Sequence, residues 1–136
     1  MKRHFVFILI LLSLWLVSCG PNPTKARFHL ENAIELIFKA QTEEAIKELN
    51  LVLKYDRDSH EALYYRGSCK RQLNDIDGAI QDYQASIEKN PLYDEPYFAL
   101  GLIYDYLQDS QKACSYYLKA EELGKQNIVD YTKWCK

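Results

Sequence analysis

The chain has 136 residues, room for one domain rather than two. With 48% hydrophobic and 26% charged residues it is neither disordered nor fibrous, and five Gly and four Pro beside eleven Tyr favour packed helices over a loop-rich fold. A formal charge of −2 and a pI near 5.9 argue against a nucleic-acid binder, whose domains are normally basic.

Met1-Lys2-Arg3-His4 is a short positive stretch, and residues 5–17 are apolar apart from Ser13. As a helix the apolar run reaches roughly 20 Å, short of a ~30 Å bilayer core, so it fits the centre of an export signal better than a spanning segment. The alternative is a short membrane anchor or a buried helix. Leu16-Val17-Ser18-Cys19-Gly20 follows and resembles the lipobox of bacterial lipoproteins. That resemblance implies a lipoprotein signal peptide over residues 1–18 and cleavage before Cys19. It also implies a diacylglyceryl group on the Cys19 thiol and acylation of the new amino terminus. Two or three acyl chains anchor a protein stably, where one is marginal. Removing 18 of 136 residues leaves 118, and losing Lys2 and Arg3 takes the formal charge from −2 to −4. Anionic lipid adds no attraction for such a body, so the acyl chains alone hold it. In enterobacterial lipoproteins an Asp after the Cys retains the protein at the inner membrane. Gly20 stands there instead, which implies the outer membrane of a bacterial cell envelope, facing the periplasm. Residues 19–25 read as a lipidated tether, with Gly20-Pro21-Asn22-Pro23 extended because Pro cannot continue a helix.

The remaining chain repeats with a period of 34. Ala45, Ala79 and Ala113 form one column, Ala33, Gly67 and Gly101 a second, and Leu49, Tyr83 and Tyr117 a third. The frames are 26–59, 60–93 and 94–127. Each holds two stretches with apolar residues at three- and four-residue spacing, such as Leu100, Ile103, Tyr104 and Leu107, which predicts two helices per frame. The small residues let paired helices approach closely. Thr42, Asp75 and Asp109 are placed to cap the second helices. Asp58 with Glu61 forms a capping-box-like pair before a helix over 59–73, and Asn90-Pro91 stops another. No period-two pattern appears. Residues 128–136, with Tyr131 and Trp134, read as a short closing helix.

These columns resemble the tetratricopeptide repeat. The third frame carries the pattern at Tyr97, Leu100, Gly101, Tyr104, Ala113, Tyr117 and Ala120. The second carries it at Leu63, Gly67, Ala79, Tyr83, Ser86 and Pro91, but has Arg66 and Lys70 where Leu and Tyr are expected. The first is degenerate, with Ala33, Leu36, Ala45, Leu49 and Val52 in place but His29 and Asn32 at bulky positions. The resemblance implies an all-α fold: an α-solenoid of three tetratricopeptide helix hairpins plus a short C-terminal capping helix over 128–136. It also implies a concave groove lined by the first helices. Its residues would be Leu30, Ile34 and Phe38, then Tyr64, Ser68 and Arg71, then Glu95, Phe98, Leu102, Asp105 and Tyr106, with Arg27, Ile37, Glu61 and Gln72 beside them. Tyr64, Phe98 and Tyr106 are apt anchors for a helix or an extended peptide. The alternative is that they pack against neighbouring helices. The family's carboxylate clamp for chaperone C-termini is absent, because its positions hold Leu30, Ile34, Tyr65, Glu95 and Ala99.

No nucleotide loop, nucleophile elbow or zinc-protease motif occurs. Asp58-Ser59-His60 are adjacent at one helix start and do not converge as a triad does. Cys and His are not grouped at metal spacing. No catalytic residue, cofactor, metal or nucleic acid is therefore expected. After lipidation Cys69, Cys114 and Cys135 remain, in a disulfide-permissive compartment. Cys69 reads as core. Cys114 and Cys135 suit a bridge that staples the closing helix, with about 3 kcal/mol from loop closure; two buried thiols are the alternative. The expected function is a membrane-anchored protein–protein interaction module, a scaffold or assembly factor of the cell envelope whose partner is another protein. A self-associating structural lipoprotein is the alternative, as is an accessory subunit of an envelope enzyme or carbohydrate-uptake system.

Overall fold

A computed structural model describes residues 20–135. The expected signal peptide over 1–18, the expected lipidation site Cys19 and Lys136 lie outside the described residues. Six helices form three hairpins: α1 (Pro23–Phe38) with α2 (Thr42–Tyr55), α3 (His60–Gln72) with α4 (Ile76–Lys89), and α5 (Asp94–Tyr106) with α6 (Ser110–Glu122). A seventh helix, α7 (Val129–Thr132), packs on α6. There is no strand among the described residues. Each hairpin stacks on the next, α2 on α3 and α4 on α5, while α1 touches α3 and α3 touches α5. The first helices therefore share one side of the solenoid, which is where a groove must form.

The helix starts show which polar residue wins each cap. Asp75 and Asp109 cap α4 and α6, accepting from the N–H of Gly78 at 2.9 Å and of Lys112 at 3.1 Å. Thr42 does not cap α2. It is the helix's first residue, and its buried hydroxyl donates to Gln72 Oε1 at 3.1 Å, tying α2 to the end of α3. Nor does Asp58 cap α3. Ser59 does, accepting from the Ala62 N–H at 3.3 Å, while Asp58 pairs with Lys89 at 2.6 Å. The expected tether over 19–25 ends at Asn22. Pro23 takes the first turn of α1, where its missing N–H costs nothing and its φ is already helical, and Asn22 Oδ1 accepts from the Lys25 N–H at 3.0 Å. The Asn22 N–H in turn donates to the Tyr55 carbonyl at 3.1 Å and pins the chain's entry to the end of α2. The closing helix is four residues long, shorter than the expected 128–136.

Hairpin contact is set by matched volumes. A methyl on Gly67 would lie 2.9 Å from the buried Tyr83 ring, and one on Gly101 would collide with the Tyr117 ring. In the first hairpin the same two columns hold Ala33 and Leu49, both fully buried in one cluster. A Tyr in the second helix goes with a Gly in the first; a smaller Leu leaves room for Ala.

Arg66 and Lys70 depart from the repeat pattern for a reason the structure supplies. Arg66 donates through Nε and Nη2 to both oxygens of buried Asp82, at 2.8 and 2.6 Å, and through Nη1 to Asn50 Oδ1 at 2.8 Å. Lys70 Nζ reaches Asp82 Oδ2 at 2.8 Å. A bidentate pair with a second cation joins α2, α3 and α4 where apolar contact was expected.

Candidate functional site: the concave face

The first helices place Leu30 and Ile34 on α1, Tyr64, Ser68 and Arg71 on α3, and Glu95, Phe98, Leu102, Asp105 and Tyr106 on α5. Two of the three expected aromatic anchors are engaged within the fold. The Tyr64 ring meets those of Tyr65, Tyr93 and Tyr83 at 5.3, 5.4 and 5.9 Å, and its hydroxyl donates to Glu95 Oε2 at 3.4 Å. Phe98 meets Tyr117 at 5.7 Å and Tyr131 of α7 at 5.1 Å, with the Lys125 ammonium 5.7 Å above its ring. Lys125 also pairs with Glu95. Tyr106 is 71% exposed and Phe38, at the far end of α1, 87%.

Two hollows open on this face. One, of about 230 Å³, lies between α3 and α5 and is lined by Arg71, Asn74, Ile76, Leu102, Ile103 and Tyr106. The other, of about 380 Å³, lies between α1 and α3, with Leu30 and Ile34 as floor and Arg27, Glu31, Asp56 and Glu61 among its walls. Of the expected groove residues, Arg71, Leu102 and Tyr106 meet in the first hollow and Leu30 and Ile34 in the second; Phe38, Tyr64, Ser68, Glu95, Phe98 and Asp105 line neither. Asn74, Ile76 and Ile103 were missed. Asn74 sits in the α3–α4 turn with φ +63°, the same left-handed place as Ala40 and Gln108 in the other hairpins; the three share no residue type, so the available signal was only that Asn tolerates this conformation better than most.

Burial raises the hydroxyls of Tyr64, Tyr93 and Tyr117 above the ordinary tyrosine range. Tyr64 is raised by burial first and then by the Glu95 carboxylate, Tyr93 by burial and then Tyr64, and Tyr117 by burial and then Asp105. The Tyr117 hydroxyl donates to Asp105 Oδ2 at 3.2 Å, and the hydroxyls of Ser68 and Tyr83 lie 3.1 Å apart. The face therefore offers neutral donors, fixed carboxylates and apolar surface. It does not assemble a nucleophile with its base. Ser59 is committed to its cap, Asp58 to Lys89, and His60 Nε2 lies 3.2 Å from Asn90 Nδ2. Among the described residues no group of three or more His, Cys, Asp or Glu could hold a metal ion, and no helix is long and apolar enough to cross a membrane. Cys114 on α6 is bonded to Cys135 beyond α7, with Cα atoms 5.3 Å apart. Cys69 is a free, buried thiol whose pKa burial pushes up to about 11.

A family model described as TPR repeat matches residues 70–105, and one described as Tetratricopeptide repeat matches residues 94–127. FK506-binding protein 59 of Drosophila melanogaster is 40% identical over 48 residues, which cover 35% of this chain and 11% of that protein. Among solved structures, the first TPR of Spaghetti (RPAP3), bound to the HSP90 peptide SRMEEVD, superposes with a TM-score of 0.78 at 19% identity, covering 85% of this chain and 94% of that one. The crystal structure of MamA superposes at 0.74 with 25% identity, covering 84% and 68%. Matched helix pairs, small-residue columns and a shared first-helix face thus converge on the fold of a tetratricopeptide-repeat solenoid, and the repeats of that family are recognised over residues 70–127.

Proposed function

We propose that the chain is a protein-interaction module held at the membrane of a bacterial cell envelope by acyl chains on Cys19, and that it takes an apolar or aromatic segment of another protein on its concave face. The observation that carries the reading is Tyr106. An aromatic side chain left 71% exposed beside a hollow walled by Leu102, Ile103 and Arg71 is a contact surface awaiting a partner. The lipobox-like LVSC run supports the anchor, and the outer membrane facing the periplasm is the proposed location. The Spaghetti domain is bound to an acidic peptide. Here Glu61, Glu95 and Asp105 lie on the first helices beside Arg71, and Lys125 is spent on Glu95, so this face favours an apolar or aromatic segment over an acidic terminus.

The test is cross-linking in the native cells with wild type, Tyr106→Ala/Arg71→Ala and Cys19→Ser. Tyr106 and Arg71 are exposed, so the double variant keeps its fold by circular dichroism. Losing an aromatic anchor costs about 2 kcal/mol and should weaken capture of a discrete envelope protein more than about tenfold. Capture unchanged by the double variant refutes the groove. Wild-type protein from the membrane fraction whose intact mass shows no acyl groups on Cys19 refutes the anchor.

A further inference from the structure

We infer that residues 124–135 form a disulfide-latched plug over the C-terminal end of the concave face, and that a dithiol reductant opens it. The inference rests on the concave face being the working surface. Two of its expected members, Glu95 and Phe98, are covered by this segment: Tyr131 packs on Phe98 and, at 5.1 Å, on Tyr117, while Lys125 pairs with Glu95 and lies over Phe98. The covering piece has little structure of its own. The four-residue α7 is far too short to persist unaided. Left-handed residues at Gly124 and Asn127 break the chain between it and α6. Two buried side chains, Ile128 and Thr132, dock it, and the Thr132 hydroxyl donates to Glu121 Oε1 at 2.9 Å. Its far end is fastened by Cys135 to Cys114, 21 residues back on α6. Both cysteines are only partly buried, so a small reductant can reach them. Without the bond the plug is covalently attached at one end only, through a turn, and rests on the contacts of Lys125, Ile128, Tyr131 and Thr132.

Opening is thiol–disulfide exchange. A thiolate of the dithiol attacks one sulfur and the Cys114–Cys135 bond breaks, leaving a mixed disulfide and one free cysteine. The second thiol of the reductant then displaces the remaining cysteine. Two electrons and two protons pass to Cys114 and Cys135, and the reductant leaves as its own disulfide.

Hydrogen exchange read by mass spectrometry tests the latch on the full chain, oxidised and after dithiothreitol. Amides of residues 125–135 should exchange roughly ten- to hundredfold faster once reduced, while α1 to α4 stay unchanged. Tyr131→Ala in the oxidised protein should loosen the same amides without touching α1 to α4. Cys114→Ser/Cys135→Ser should reproduce the reduced pattern, and reduction of the wild type still decides if that variant folds poorly. A change under about twofold in 125–135 overturns the latch, as does equal acceleration throughout the solenoid. The readout involves no partner, so a plug that never opens refutes the latch and leaves the groove reading intact.

Discussion

At Gly101 one methyl group decides whether α5 and α6 can meet. Its ideal Cβ falls on the Tyr117 ring, whereas that of Gly67 lies 2.9 Å from Tyr83. Gly101→Ala should therefore destabilise by about 2–3 kcal/mol in urea unfolding and Gly67→Ala by about 1–2 kcal/mol, the order following the severity of overpacking. Asp82 offers a second contrast. Asp82→Asn strips the charge that neutralises Arg66 and Lys70 and should cost about 3 kcal/mol, while Arg66→Leu/Lys70→Tyr/Asp82→Leu should fall near wild type or above it. Arg66 and Lys70 stood out in the sequence as departures from the repeat. Their cause did not, because Asp82 is on the next helix and Asn50 on the previous one, and neither proximity is written in local spacing.

The element scale turns on where helices start and stop. Ser59→Ala should lower stability by about 1 kcal/mol in thermal melts, since it removes the α3 cap. Asp58→Ala should leave the melt unmoved, because Asp58 contributes only an exposed ion pair. Adjacent polar residues that can both cap are resolved by backbone geometry, so the sequence located this helix but chose Asp58 over Ser59. The pairing of helices was legible because apolar periodicity and the small-residue columns state the same 34-residue register. The first hairpin keeps that register in its backbone even where His29 and Asn32 depart from the pattern: Ala40, Asn74 and Gln108 all take positive φ at 34-residue intervals. The groove was legible as a face and not as an occupancy. Tyr64 and Phe98 are engaged by Tyr93 from a loop and Tyr131 from the closing helix, and neither contact follows from first-helix positions alone.

For the whole molecule, buried hydroxyls and a buried thiol set an alkaline limit. Tyr64, Tyr93 and Tyr117 have folded pKa values above the ordinary 10.0, and Cys69 is pushed from 9.0 to about 11. A group raised on folding stabilises fully below its unfolded pKa and loses that contribution as pH rises toward the folded one. Urea midpoints should thus hold level into the weakly alkaline range, fall as pH passes 9 through Cys69, and fall more steeply above 10 as the tyrosines follow. Tyrosinate absorbance should lag in the folded protein; full ionisation at the ordinary pKa with the fold intact would contradict this account. The hydrogen bond from Asn22 to Tyr55 bears on a different matter, mechanical attachment. With Cys19 acylated as proposed, only Gly20 and Pro21 lie free between the lipid and that bond, a reach of roughly 10 Å. On that proposal the solenoid would be held as a bolted bracket and not a swinging arm, with the end of α2 near the bilayer. Under that proposal partners would be sorted by their height above the membrane as well as by their chemistry, and about ten Gly-Ser residues inserted after Gly20 should erase that sorting while leaving the fold untouched.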